Sequence, residues 1–342
     1  MSYSKSVRLA AATAILFAGM LHGLPAQAQE SFSFGLWGDM PYAKNGDTPK
    51  IPALIADMNA SDIAFSLFDG DIKDGSSKCT DDVFSAALDT FNSFEKPAVY
   101  IPGDNEWTDC HRTNNGGYDN LERLAYLRKV MFPAADGTLG KTSMTVERQG
   151  KPGEPYVENV RFMHGGVMFV GLNIPGSNNN YVANDASCTK KSERTPEQCK
   201  ADNEEYLARD AANIDWMRGA FAKAREAKAA GVMLVLQADV GFDIPETEDI
   251  DESRTEDHSG YFKFLDALIE ETQAFNGQVV LVHGDTHYFK IDKPLIDATH
   301  LLPNFTRVQT FGSPNVHWLR VTVDTSSRDV FSFHPMIVEA NK

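Results

Sequence analysis

Six apolar, strand-like runs in this chain lead into small clusters of carboxylate, amide and imidazole side chains. Residues 33–38 lead to Asp39, 63–70 to Asp71, 98–103 to Asp104, Asn105 and Glu106, and 232–238 to Asp239. Residues 279–282 lead to His283, Gly284, Asp285, Thr286 and His287, and 307–313 end on a polar turn near Asn315 and His317. Carboxylates at the ends of buried strands are costly unless something positive compensates them. In an α/β sheet the carboxyl ends of the strands converge on one crevice, where ligands bind. A single metal cluster would account for most of these positions together.

The order of elements is strand, helix, strand, helix, which predicts an α/β fold. Strands are expected at 32–38, 63–69, 97–101, 232–237, 278–282, 307–311 and 318–323, with 330–338 as a further candidate. Residues 162–173 read as two strands around the turn His164-Gly165-Gly166. Apolar residues at helical spacing place helices at 49–59, 80–94, 119–132, 204–228 and 260–275. Residues 137–153 are expected to form a hairpin or edge strands, and 177–198 a polar insertion. No internal repeat and no linker divides the chain.

Lys5 and Arg8 precede an apolar run over 9–24 that ends on Ala26-Gln27-Ala28. This is the pattern of a secretory leader, so residues 1–28 are expected to be removed, leaving 29–342 as one domain of a periplasmic or secreted protein without a stable membrane anchor. The formal charge of −16 repels nucleic acid and anionic membranes at long range. A small phosphorylated substrate is compatible with it, because a bound cation reverses the local field. Cys79, Cys110, Cys188 and Cys199 lie in polar, loop-like stretches with no Cys-x-x-Cys pair. In an exported chain they are expected to form disulfides. Placement favours Cys79–Cys110, tying the loops after the second and third strands, and Cys188–Cys199, closing a short insertion.

The set Gly38-Asp39, Gly70-Asp71-x-x-Asp74, Gly103-Asp104-Asn105-Glu106 and Gly284-Asp285-Thr286-His287 resembles the calcineurin-like metallophosphoesterase family over residues 34–318. That resemblance implies a two-sheet α/β sandwich with two metals at the strand ends and hydrolysis of a phosphate ester by a metal-activated hydroxide. Asp39, Asp71, Asn105 and His287 stand at family ligand positions. Four positions depart from the pattern. Pro41 replaces a ligand histidine, with Tyr42 or a water as the substitute. Glu106 replaces the histidine that assists the leaving group. Asp239 or Gln237 replaces a late histidine, and Asp285 replaces the first histidine of the last motif.

The expected metal shell is therefore Asp39, Asp71, Asn105, Asp239, Asp285 and His287. Its excess of oxygen donors favours Mn²⁺, Mg²⁺, Ca²⁺ or iron over Zn²⁺. Glu106 is the expected proton donor, with His111, His258 and His317 as alternatives. Asp74 reads as a turn residue or a support for the ligands rather than a ligand, and the acidic stretch 243–257 as a solvated face. The missing histidines motivate a second reading, a binding protein that keeps the fold without the metals. A structural domain of an envelope assembly is a third, supported by export alone. Oligomeric state and the identity of the ester are not legible in the chain.

Overall fold

The computed structural model describes Met1 and residues 31–244, 249–297 and 300–342; apart from Met1, the expected leader lies outside them. Among the described residues twelve strands are formed: β1 Phe32–Trp37, β2 Ser66–Phe68, β3 Ala98–Tyr100, β4 Glu147–Arg148, β5 Val160–His164, β6 Val167–Gly171, β7 Gly231–Val235, β8 Gln278–His283, β9 Lys290–Asp292, β10 Phe305–Gln309, β11 Trp318–Val323 and β12 Phe331–Met336. They build a five-stranded sheet in the order β12-β11-β1-β2-β3 and a seven-stranded sheet in the order β4-β5-β6-β7-β8-β10-β9. Within them β1, β2 and β3 run parallel, as do β6, β7, β8 and β10.

Strands β2, β3, β6 and β7 are buried along their whole length, and β8 over all but its first residue, because both faces of the sheets are covered there. Phe34, Leu36, Leu67, Val99, Phe169, Met233, Val235, Val280, Val282 and Val308 face the space between the sheets. There the Phe34 and Phe65 rings stack at 5.1 Å, with Phe169 edge-on to Phe34 at 5.1 Å. The alternate residues point outward. Trp37 and Phe68 meet the helices Ile51–Ala60, Asp81–Phe91 and Asn120–Met131. Val232, Leu234 and Leu281 meet Pro196–Glu226 and Phe262–Ala274. The result is a two-sheet α/β sandwich.

Several boundaries moved from their expected places. The helix expected from 204 begins at Pro196, because Thr195 and Gln198 form a reciprocal capping box and proline suits the first helical turn. Gly165 and Gly166, at φ 54° and 79°, make the tight turn joining β5 to β6. Strand β9 is three residues long and carries too little pattern to be foreseen. The disulfides are Cys79–Cys110 and Cys188–Cys199.

Candidate metal centre

The loops after β1, β2 and β8 share a backbone feature. Asp39, Asp71, Asp285 and His287 have φ of 50°, 67°, 73° and 62°. Left-handed conformations are costly for non-glycine residues and persist where surrounding structure imposes them. Two neighbouring glycines make the crowding possible. A Cβ on Gly284 would fall 1.8 Å from Asp39 Oδ2, and one on Gly103 2.1 Å from Asp71 Oδ1.

Four side chains from three loops then form a continuous chain of donor atoms. Asp39 is completely buried, accepts the Asp285 N–H at 3.0 Å, and lies 3.3 Å from His287 Nε2. His287 Nε2 is 3.2 Å from the Tyr42 hydroxyl, which donates to Asp71 Oδ2 at 2.7 Å. Asp71 Oδ1 accepts the Asn105 N–H at 3.1 Å, while the Asn105 amide NH₂ faces Asp71 Oδ2 and, at 3.0 Å, the Tyr42 oxygen. His287 Nδ1 is 2.8 Å from the Ser313 carbonyl. A carbonyl only accepts, so Nδ1 carries the hydrogen; burial opposes a second proton, but the Asp39 carboxylate beside Nε2 outweighs it and raises the His287 pKa.

A second group lies beside the first. Gln237 Nε2 is 3.4 Å from Asp104 Oδ1 and 3.3 Å from Asp285 Oδ1, drawing two carboxylates together. A Cβ on Gly176 would stand 2.9 Å from an oxygen of each. Ser177, at the exposed rim, donates to Asp104 Oδ2 at 2.6 Å, also lies 2.8 Å from Asp109 Oδ1, and accepts from Arg112 at 3.0 Å. Arg112 also pairs with Asp109. Residues 177–180 are all left-handed, held by Arg209, Tyr261, Gly260 and Asn120. Asp104, Ser177, Asp109 and Arg112 were not among the expected site residues. Asp104 was visible as a strand-end carboxylate; the other three carry no local signal, since distant loops bring them in.

Two expected residues are placed differently. Asp239 offers the cluster its backbone N–H, 3.2 Å from Asp285 Oδ2, while its carboxylate accepts the N–H groups of Gly241 and Phe242. The turn that follows has captured the side chain. Glu106 is completely buried behind the Asp71 loop, with Oε1 accepting from Tyr100, Gly103 N–H and Asp71 N–H. That position suits holding the loop rather than meeting a leaving group. His111 and His258 bond to Thr108 and Thr255, and His317 packs edge-on to Phe311, so none touches the cluster through these contacts. Asp74 bonds Ser76 and Ser77 of its own turn.

Burial, reinforced by the neighbouring Asp104, lifts the Asp71 and Asp285 carboxyls well above the usual range, and burial raises Asp39 as well. Burial also pushes Asp109 up to about 7. Lys73 is a buried counter-charge, donating to the carbonyls of Asp74 and Asn105. Among the described residues no three His, Cys, Asp or Glu side chains are grouped to hold a metal ion. The Asp39–His287–Tyr42–Asp71 chain nevertheless sets carboxylate, imidazole and phenol oxygen and nitrogen atoms side by side, and the proton shared between His287 Nε2 and Asp39, 3.3 Å apart, stands where a cation would replace it. No second set of that kind is gathered among the described residues: Asn105 turns its NH₂ inward, and Asp239 is engaged in its own loop.

No family model matches the chain, and no curated protein does. Among solved structures it is similar to PhoD, at 12% identity and a TM-score of 0.50, over 86% of this chain and 64% of that one. It therefore spans less than two thirds of PhoD. It is also similar to GAP50, the anchor in the inner membrane complex of Plasmodium, with 12% identity, a TM-score of 0.45 and coverage of 90% and 89% of the two chains. A third structure is the 5'-nucleotidase from Candida albicans SC5314, with 10% identity, a TM-score of 0.38 and coverage of 91% and 52%. The two-sheet α/β sandwich is the fold that this chain shares with PhoD.

Proposed function

We propose that this chain is an exported, metal-dependent hydrolase of a small phosphate ester. The observation that supports this most directly is the Asp39–His287–Tyr42–Asp71 chain of donors at the carboxyl ends of β1, β2 and β8. Asp39, Asp71 and His287 would hold the cation. A bound cation supplies a more acidic water and neutralises phosphoryl oxygens. Asn105 and the buried Lys73 fix the Asp71 loop from behind. At the rim, Arg112 offers the fork that suits phosphate, and Ser177 a hydroxyl beside it. Two disulfides and the absence of any described helix long and apolar enough to cross a membrane are compatible with export.

A second reading has its own support. Asp71 already accepts from Tyr42 and twice from Asn105, which is how a carboxylate is satisfied without any metal. On that reading the chain binds a ligand and hydrolyses nothing. Metal analysis of protein purified without chelator, with a p-nitrophenyl phosphate mono- and diester screen in added Mn²⁺, separates the two. Bound metal with turnover supports the hydrolase; metal-free, inert protein refutes it.

A further inference from the structure

We propose that Lys190 and Lys191, carried by the insertion that Cys188–Cys199 closes, form with Arg112 a second anion subsite at the rim, and that its ligand is a small molecule bearing two phosphoryl groups. The inference rests on the hydrolase reading above for the class of substrate; the basic rim itself stands on other residues.

The insertion is fixed against the loop that carries Arg112. Arg112 and Ser192 pair as an antiparallel bridge, and the Thr113 N–H donates to the Lys191 carbonyl at 2.9 Å. Bridged residues stand about 5 Å apart between Cα atoms, so Lys191, one position from Ser192, lies within a lysine stem of Arg112. Lys191 has φ 58°, a left-handed conformation that persists where surrounding structure imposes it. Arg194 braces the same loop. It donates to the carbonyls of Cys188 at 3.0 Å and Ser187 at 3.1 Å, and pairs with the buried Asp202 at 2.7 Å. The backbone that presents the two lysines is therefore tied to the site by a bridge, a disulfide and a guanidinium.

Their charge is left over. The chain has 48 acidic and 32 basic residues, yet Lys190 and Lys191 are adjacent, exposed and, among the described residues, without a side-chain hydrogen bond or ion pair. Arg194 is engaged by Asp202 and Lys200 by Glu204, and between Cys188 and Pro196 the only carboxylate is Glu193. Arg112 pairs with Asp109 and donates to Ser177, while its side chain keeps 24% exposure, so part of its five-donor fork faces solvent. His111 registers the positive field: burial, then Arg194 and Arg112, hold its imidazole down to about 4. One phosphoryl group on the Arg112 fork leaves both ammoniums unmatched. A second phosphoryl group joined to the first meets them.

The test titrates the metal-stripped full chain with orthophosphate and with inorganic pyrophosphate in a calorimeter at low salt. Metal is left out because pyrophosphate chelates it. Wild type is expected to bind pyrophosphate about 2- to 30-fold more tightly than orthophosphate, the range that two exposed charge pairs supply. Lys190→Gln/Lys191→Gln should lose the preference and leave orthophosphate binding unchanged. Lys129→Gln/Lys151→Gln removes the same charge from exposed positions elsewhere and should keep the preference. Circular dichroism checks that both variants are folded. Equal affinities or no pyrophosphate binding in wild type, an unchanged preference in Lys190→Gln/Lys191→Gln, or its loss in the control pair overturns the subsite. Turnover of p-nitrophenyl phosphate in Mn²⁺ is read on the same preparation. Turnover without a pyrophosphate preference overturns the subsite and keeps the hydrolase; preference in metal-free, inert protein keeps the subsite and overturns the hydrolase.

Discussion

The left-handed turn at 177–180 presents Ser177 to Asp104, and Asn179 is the residue that anchors it. Asn179 has φ 57° and is completely buried. Its Oδ1 accepts from the Arg209 guanidinium at 2.5 Å and its Nδ2 donates to the Gly260 carbonyl at 3.0 Å. Asn179→Ala removes both bonds and leaves Arg209 and Gly260 with unmet polar atoms. The charge-assisted bond is worth about 1.5–3 kcal/mol and the neutral one about 0.5–1.5. Alanine in the left-handed region adds about 1 kcal/mol, a cost that asparagine largely escapes. Together they predict a loss of about 3–5.5 kcal/mol. Asn179→Gly loses the same bonds without the steric cost, so it should be about 1 kcal/mol more stable than the alanine variant. Urea unfolding of the disulfide-intact protein, followed by tryptophan fluorescence at unchanged m-value, measures both. A loss below about 1 kcal/mol for alanine, or glycine no better than alanine, refutes the reasoning.

Other expectations are independent of that turn. Asp71→Asn should abolish bound metal and hydrolysis together while the fold survives; full metal content and turnover in this variant would remove Asp71 from the site. Opening Cys79–Cys110, whose partners are 31 residues apart, should cost about 3.7 kcal/mol by loop entropy, against about 2.8 for Cys188–Cys199 at 11 residues. Non-reducing denaturation of paired Cys→Ser variants compares them, and the reverse order contradicts the estimate. Burial holds His283 down to about 4, so its contribution to stability is present above about pH 6.5 and lost as pH falls toward 4. Burial raises Asp202 and Asp210 to about 6, and these work in the opposite direction, losing stability as pH rises through that window. The difference in urea midpoint between His283→Gln and wild type should therefore narrow between pH 7 and pH 5; a constant difference would show that His283 does not titrate there.

Much of the frame follows from local rules acting on the chain itself. Strands buried on both faces must be continuous apolar runs, which is why 232–235 and 278–282 were readable as β7 and β8. Glycines before aspartates mark where the chain leaves those strands, so Asp39, Asp71, Asp104 and Asp285 could be placed at strand ends from the residues alone. What a carboxylate does after its strand ends is decided by its neighbours in space. Asp239 and Asp285 look alike in the chain, yet Gly241 and Phe242 claim the Asp239 carboxylate, while Gln237 turns Asp285 toward Asp104. Glu106 was expected at a leaving group, but Tyr100 and Gly103 hold it in the interior. Tyr42 lies between Asp71 and His287 because loops separated by 29 and 245 residues meet there. Hydrogen bonds reach about 3 Å whatever the separation along the chain, so residues with no sequence relation complete the cluster.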